Sequence, residues 1–100
     1  MQQALTEGIF YILLSLTEAK HGYGIMQHVA ELSNNRVKLA AGTLYGALTN
    51  LKKKGWIELE EEDKDKKTYL ITSTGLEILK AELARLEELS QNGRQILGGK

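Results

Sequence analysis

The chain has no cysteine, which excludes disulfide bonds and thiolate metal sites. It has two histidines, His21 and His28, too few and too isolated to suggest a metal cluster. No run approaches the ~18 consecutive apolar residues of a membrane span. The opening Met1-Gln2-Gln3-Ala4 carries no basic residue, so no signal peptide is expected and the cytoplasm is the expected compartment. There is no phosphate-binding glycine-rich loop, no cysteine nucleophile and no histidine–carboxylate pairing at a legible spacing. An enzyme is therefore not expected, and neither is a cofactor. There is no internal repeat and no low-complexity segment. The formal net charge of +0 argues against a generic polyanion binder.

What is present fits one soluble domain. The chain has 100 residues, 42% of them hydrophobic and 26% charged, enough for a modest core. The charge is segregated. Residues 1–57 carry six lysines and arginines against three acids, a balance of +3, so residues 58–100 carry −3. A basic half and an acidic half suit a DNA-reading face and a face turned away from DNA.

The basic half centres on residues 40–57. Leu44, Leu48 and Leu51 fall at i, i+4 and i+7, one stripe of a helix. Lys52, Lys53 and Lys54 crowd its last turn, where cations oppose the helix dipole. Gly55 follows where a left-handed residue ends a helix. Opposite the leucines lie Gly46, Thr49, Asn50 and Lys53, flanked by Thr43 and Tyr45. This short, polar, basic face suits a DNA major groove. Asn50 and Thr49 have side chains that can read base edges, while Lys38, Lys52 and Lys53 suit phosphates and Lys54 is turned aside.

Before it, residues 5–16 form an unusually apolar helix, with Leu5, Ile9, Ile12, Leu13 and Leu16 on one stripe. One of its faces is expected to be covered by a partner subunit; the competing reading is cover by the C-terminal helix of the same chain. His21-Gly22-Tyr23-Gly24 leads into a second helix with Ile25, Met26, Val29 and Leu32 on its apolar face. Ser33-Asn34-Asn35 ends that helix, asparagine tolerating left-handed geometry. Arg36-Val37-Lys38-Leu39 reads as a short extended piece. Helix, turn and polar-faced helix make the helix-turn-helix layout.

After Gly55 the runs Trp56-Ile57-Glu58-Leu59-Glu60 and Thr68-Tyr69-Leu70-Ile71-Thr72 read as two strands of a hairpin. A charged tip, Glu61-Glu62-Asp63-Lys64-Asp65-Lys66-Lys67, joins them. This hairpin is a wing, and its Lys66 and Lys67 are candidates for DNA contact. A last helix starts at Thr72, Ser73 or Thr74, and Thr74-Gly75-Leu76-Glu77 matches a capping box. Leu76, Leu79, Leu83 and Leu86 follow 3-4-3 spacing, with Leu89 beside the seam and Glu82, Arg85, Glu87 and Glu88 on other faces. About two heptads are short for a free coiled coil. Together with Leu5, Ile9 and Ile12 they are enough for a dimer interface. Gly93 and Gly98-Gly99 mark a fraying end.

The expected fold is mainly α with a small β-hairpin, of the α+β class. Residues 1–72 form a winged helix-turn-helix and residues 73–97 a C-terminal dimerisation helix, all in one compact unit.

These residues resemble the PadR family of transcriptional regulators over roughly positions 5 to 90. The likeness lies in the leucine-rich first helix, His21-Gly22-Tyr23, Gly42-Thr43-Leu44-Tyr45, Leu48, Leu51, Gly55-Trp56-Ile57, Lys67-Thr68-Tyr69-Leu70-Ile71-Thr72 and Gly75. The resemblance implies a winged helix, a homodimer built from the first and last helices, and repression from an inverted-repeat operator in double-stranded DNA. Two departures stand out. Wings of the family often carry Arg, Pro and Gly, whereas this one is part acidic and proline-free. Some members stack drugs between tryptophans of the last helix, whereas the single tryptophan here is Trp56. A flat aromatic ligand site of that kind is not supported, and a small-molecule inducer is left open and unidentified. The alternative function is a winged-helix protein–protein interaction module without DNA binding; steep salt dependence separates the two.

Overall fold

The computed structural model describes residues 4–63 and 66–98. Expectations resting on residues 1–3, on Lys64 and Asp65 at the wing tip, and on Gly99 lie outside them. The elements are α1 (Glu7–Ser15), β1 (Lys20–His21), α2 (Gly22–Leu32), α3 (Ala41–Lys53), β2 (Ile57–Asp63), β3 (Lys66–Ile71) and α4 (Ser73–Ile96). Among the described residues the fold is four helices with a small antiparallel sheet, the α+β winged-helix arrangement.

Local chemistry sets most of the boundaries. Thr6 caps α1 by accepting the Ile9 N–H (3.2 Å). At the end of α2, Asn34 and Asn35 take φ of 53° and 64°. The Asn35 N–H returns to the Ala30 carbonyl (2.7 Å) and the Asn34 N–H to that of Glu31 (3.2 Å), a Schellman closure. The buried Ser33 hydroxyl secures the turn, donating to the Val29 carbonyl and accepting the Val37 N–H, both at 2.9 Å. α3 ends by the same device: Gly55 has φ +78°, and the Trp56 N–H reaches the Leu51 carbonyl at 3.0 Å.

The core gathers Ile12, Leu13 and Leu16 from the first helix and its end, Ile25 and Val29 from α2, and Leu44, Leu48 and Leu51 from α3. Ile57, Tyr69 and Leu79 complete it. The arrangement corrects several expectations. The hairpin gains a third strand: Lys20 and His21 pair with Tyr69 and Thr68, giving the order β1-β3-β2. The cap of α4 is Thr72, whose hydroxyl accepts the Gly75 N–H (3.1 Å) on its oxygen and donates its O–H to the Gly55 carbonyl (2.7 Å). Thr74 and Glu77 therefore lie inside the helix and form no capping box there. Glu82 does not decorate an outer face. It is 1% exposed, accepts the Leu5 N–H (3.1 Å), and takes two hydrogen bonds from Arg85 at 2.8 and 2.6 Å. A carboxylate removed from water needs such donors to stay charged.

Arg36, just after the turn that ends α2, donates to Glu7 at the start of α1. This hydrogen bond, reinforced by the cationic charge of Arg36, holds the Glu7 carboxyl below the usual carboxylate range. A lowered folded-state value means the pair adds stability above the pKa that Glu7 has in the unfolded chain. That addition is lost as pH falls through the lowered value. Arg36→Ala is therefore expected to melt slightly earlier than the unsubstituted chain at neutral pH. The two melting curves should converge at strongly acidic pH. A gap that persists there would mean that Arg36 acts through something other than Glu7.

Candidate nucleic-acid interface

α3 turns its leucine stripe inward, with Leu44, Leu48 and Leu51 at most 2% exposed. Helical geometry then directs Gly42, Gly46, Thr49 and Lys53 outward. These four are exposed, as are Thr43, Tyr45, Asn50 and Lys52. A Cβ placed on Gly42 or Gly46 would meet no atom within 4 Å. Internal packing therefore does not require glycine at either position. A helix-interior glycine costs about 1 kcal/mol relative to alanine, and what it leaves is a low surface that another molecule's backbone can approach. Ala40 begins the helix without a side-chain cap. The first N–H groups of α3 are thus open to an anion such as a DNA phosphate.

The wing closes one side of this helix. Thr49, Lys52 and Lys53 line a cleft of about 330 Å³ with Leu48 and with Lys67 and Tyr69 of β3. A second cleft of about 550 Å³ is bounded by His21, Gly22, Tyr23, Tyr45, Lys66, Lys67 and Tyr69. The pair Lys52 and Lys53 of α3 and the pair Lys66 and Lys67 of β3 therefore border neighbouring clefts that share Lys67 and Tyr69, one basic zone built from two separate parts of the chain. The phenol of Tyr45 lies over Gly22, where an added Cβ would come within 2.3 Å of its oxygen. Tyr45 is still 49% exposed, so it both packs on the start of α2 and faces the cleft.

Other sequence candidates fall elsewhere. Asn50 is exposed on the α1 side of α3, beside Ala4, Leu5, Thr6, Ile9, Lys54 and Trp56, and away from the lysine-lined cleft. Lys54 sits 4.7 Å from the centroid of the Trp56 ring, a cation–π contact that turns it from its neighbours. Lys38 is exposed in the stretch before α3, which forms no strand. Sequence reasoning missed Tyr23, 62% exposed in the same cleft as Tyr45. An aromatic between two glycines at a helix start was the available signal. His21 caps α2 through its ring nitrogen, and His28 shares a hydrogen bond with Ser15 (2.9 Å). Among the described residues no cluster of His, Cys, Asp and Glu is arranged to hold a metal ion, and no helix is long and apolar enough to cross a membrane.

The seven apolar residues expected at a partner interface divide. Ile12 and Leu79 are 1% and 5% exposed in the chain's own core, and are withdrawn from a partner surface because their atoms are already covered. Leu5, Ile9 and Leu76 are half-buried. Leu83 and Leu86 are exposed, together with Leu89, Ile96 and Leu97, which were not among the seven. From residue 83 to 98 only Arg85 and Gly93 are even half-buried, so the outer part of α4 projects from the body.

A family model described as the Transcriptional regulator PadR-like family matches residues 12–81. Solved structures share the fold. A PadR family transcriptional regulator from Eggerthella lenta DSM 2243 is 24% identical, with 89% of this chain and 80% of that chain covered and a TM-score of 0.74. A PadR family transcription regulator from Clostridium difficile R20291 is also 24% identical, covering 89% and 97%, with a TM-score of 0.74. RosR from H. salinarum is 25% identical over 96% of both chains, with a TM-score of 0.70. No curated protein matches the chain.

Proposed function

We propose that this chain, which belongs to the PadR-like family of transcriptional regulators, is a repressor that binds an inverted-repeat operator as a homodimer. The coarser part is plain: the family's members are DNA-binding regulators and not enzymes. The observation that carries the finer reading is the cleft between α3 and β3, which joins Lys52, Lys53 and Lys67 along one edge of a helix whose outer face is glycine, threonine and lysine. Lysines on that edge suit phosphates and set the protein's register on a duplex. Thr43, Thr49 and the low surface at Gly46 suit approach to base edges.

The dimer reading rests on α4. Leu83, Leu86 and Leu89 are 48%, 37% and 52% exposed, an apolar stripe centred on Leu86. In a two-fold interface the same patch meets itself. Antiparallel α4 helices crossing at Leu86 would set Leu83 of one protomer against Leu89 of its partner. Two copies of α3 would then meet two half-sites of a palindrome.

Selection of bound fragments from random duplex DNA tests the whole reading. A palindromic consensus is the expected result, and a pool without enrichment would count against sequence-specific binding. Lys53→Ala tests the phosphate role. It is expected to weaken binding to the selected duplex and to random duplex by a similar factor, and to flatten the log–log salt slope by about one unit. An unchanged slope would remove Lys53 from the DNA backbone.

A further inference from the structure

We infer that Glu62 is an electrostatic brake on DNA affinity, set on the DNA-facing side of the wing beside Lys67. The inference rests on the proposed DNA-binding reading and adds a residue that opposes it.

β2 is the outer strand of the sheet, and its Glu58, Glu60, Glu61 and Glu62 are all exposed. For Glu58, Glu61 and Glu62, which have partners on β3, register decides which faces the cleft; Glu60 falls in the bulge and is unpaired. Residues directly opposite in an antiparallel pair share a face of the sheet, with Cβ atoms about 4.5–5.5 Å apart. Ile57 pairs with Ile71 and Leu59 with Tyr69, on the inner face. A bulge between Leu59 and Glu61 then shifts the pairing, so that Glu61 opposes Thr68 and Glu62 opposes Lys67. Lys67 and Tyr69 both line the cleft with Thr49, Lys52 and Lys53. Glu62 therefore stands on that same inner face. Glu58, opposite Leu70, and Glu61, opposite Thr68, stand on the other.

A phosphate drawn to Lys67 meets a carboxylate one strand away, well inside the Debye length of about 8–10 Å. The repulsion acts on every duplex alike, because it concerns the backbone and not the bases. It lowers the sequence-independent part of the affinity, the part that holds a regulator on the excess of non-operator DNA. Glutamate on the outer strand also discourages edge-to-edge pairing of sheets. Glu58 and Glu61 serve that purpose equally well from the other face, so edge protection does not single out Glu62.

Anisotropy titrations of the full chain against a random-sequence duplex and a selected duplex, between 50 and 200 mM salt, test this. Glu62→Gln is expected to bind both duplexes about 2- to 5-fold more tightly, with a salt slope steeper by up to about one unit. Glu62→Lys should go further in the same direction, to about 10-fold. Glu58→Gln should match the unsubstituted chain. Glu62 variants whose curves superimpose on the unsubstituted chain, or lie weaker, overturn the inference. So does a Glu58→Gln gain as large as that of Glu62→Gln, because net charge and not position would then be acting. Flat titrations of every protein overturn the DNA-binding reading itself, and the brake with it.

Discussion

Gly75→Ala is expected to destabilise the fold by about 3 kcal/mol, the upper part of the range for overpacking a tight site. Helix propensity alone points the other way, since alanine in place of a helical glycine usually gains about 1 kcal/mol. The site decides the sign. Gly75 is buried in the first turn of α4, against the end of the α3–β2 connection. A Cβ there would lie 2.1 Å from the Trp56 carbonyl oxygen and 2.9 Å from both its carbon and Ile71 Cγ1. The Trp56 oxygen cannot turn away, because it accepts the Thr72 N–H at 2.9 Å. Relief requires moving α4 off the wing. The melting temperature should fall by roughly 12–24 °C for a domain of this size, and the fluorescence of Trp56 reports from the contact itself. Gly46→Ala is the comparison. A Cβ there meets nothing within 4 Å, so the free protein should gain about 1 kcal/mol. An unchanged or raised melting temperature for Gly75→Ala would show that the close contact is not maintained in solution.

The second large effect is expected at Leu83. Leu83→Glu should convert the proposed dimer to monomers at micromolar concentration. A charge buried without a partner costs about 3–5 kcal/mol, or about two to three and a half decades in the dimer dissociation constant. Two-fold symmetry would place the same charge on both helices. The monomer should still fold, because Leu83 is 48% exposed and lies outside the chain's own core. Leu79→Glu would not separate these effects, since Leu79 is 5% exposed within that core. Affinity for a palindromic duplex should fall once dimerisation is lost, because the second half-site is no longer held at high effective concentration. Sedimentation equilibrium reads the state directly. If the unsubstituted chain is monomeric at those concentrations, or if Leu83→Glu sediments as a dimer, the α4 interface is wrong.

Short-range chemistry made much of this molecule legible from its residues. The leucines of α3, the left-handed Gly55 after its last turn, the asparagines that close α2 and the strand pattern on both sides of the wing tip each act within a few residues. Their consequences could be read without knowing what lies across the fold. By itself the sequence determined the winged helix-turn-helix, the inward stripe of the third helix, and the family to which the chain belongs.

Contacts between distant residues were left to the tertiary structure. β1 is two residues long and exists only because β3, far along the chain, offers an edge to pair with. Glu82 reads as a surface residue by its spacing, yet the Leu5 N–H and Arg85 supply the donors that allow its burial. Ile12 and Leu79 share stripes with residues that remain exposed, and only the packing of the first and last helices on one core decides which of them are covered. Gly22 and Gly75 carry no sequence signal that tells a cap from a close contact; Tyr45 over one and the Trp56 carbonyl against the other make that distinction. Periodicity specifies a direction around a helix axis, but what stands in that direction depends on elements many residues away.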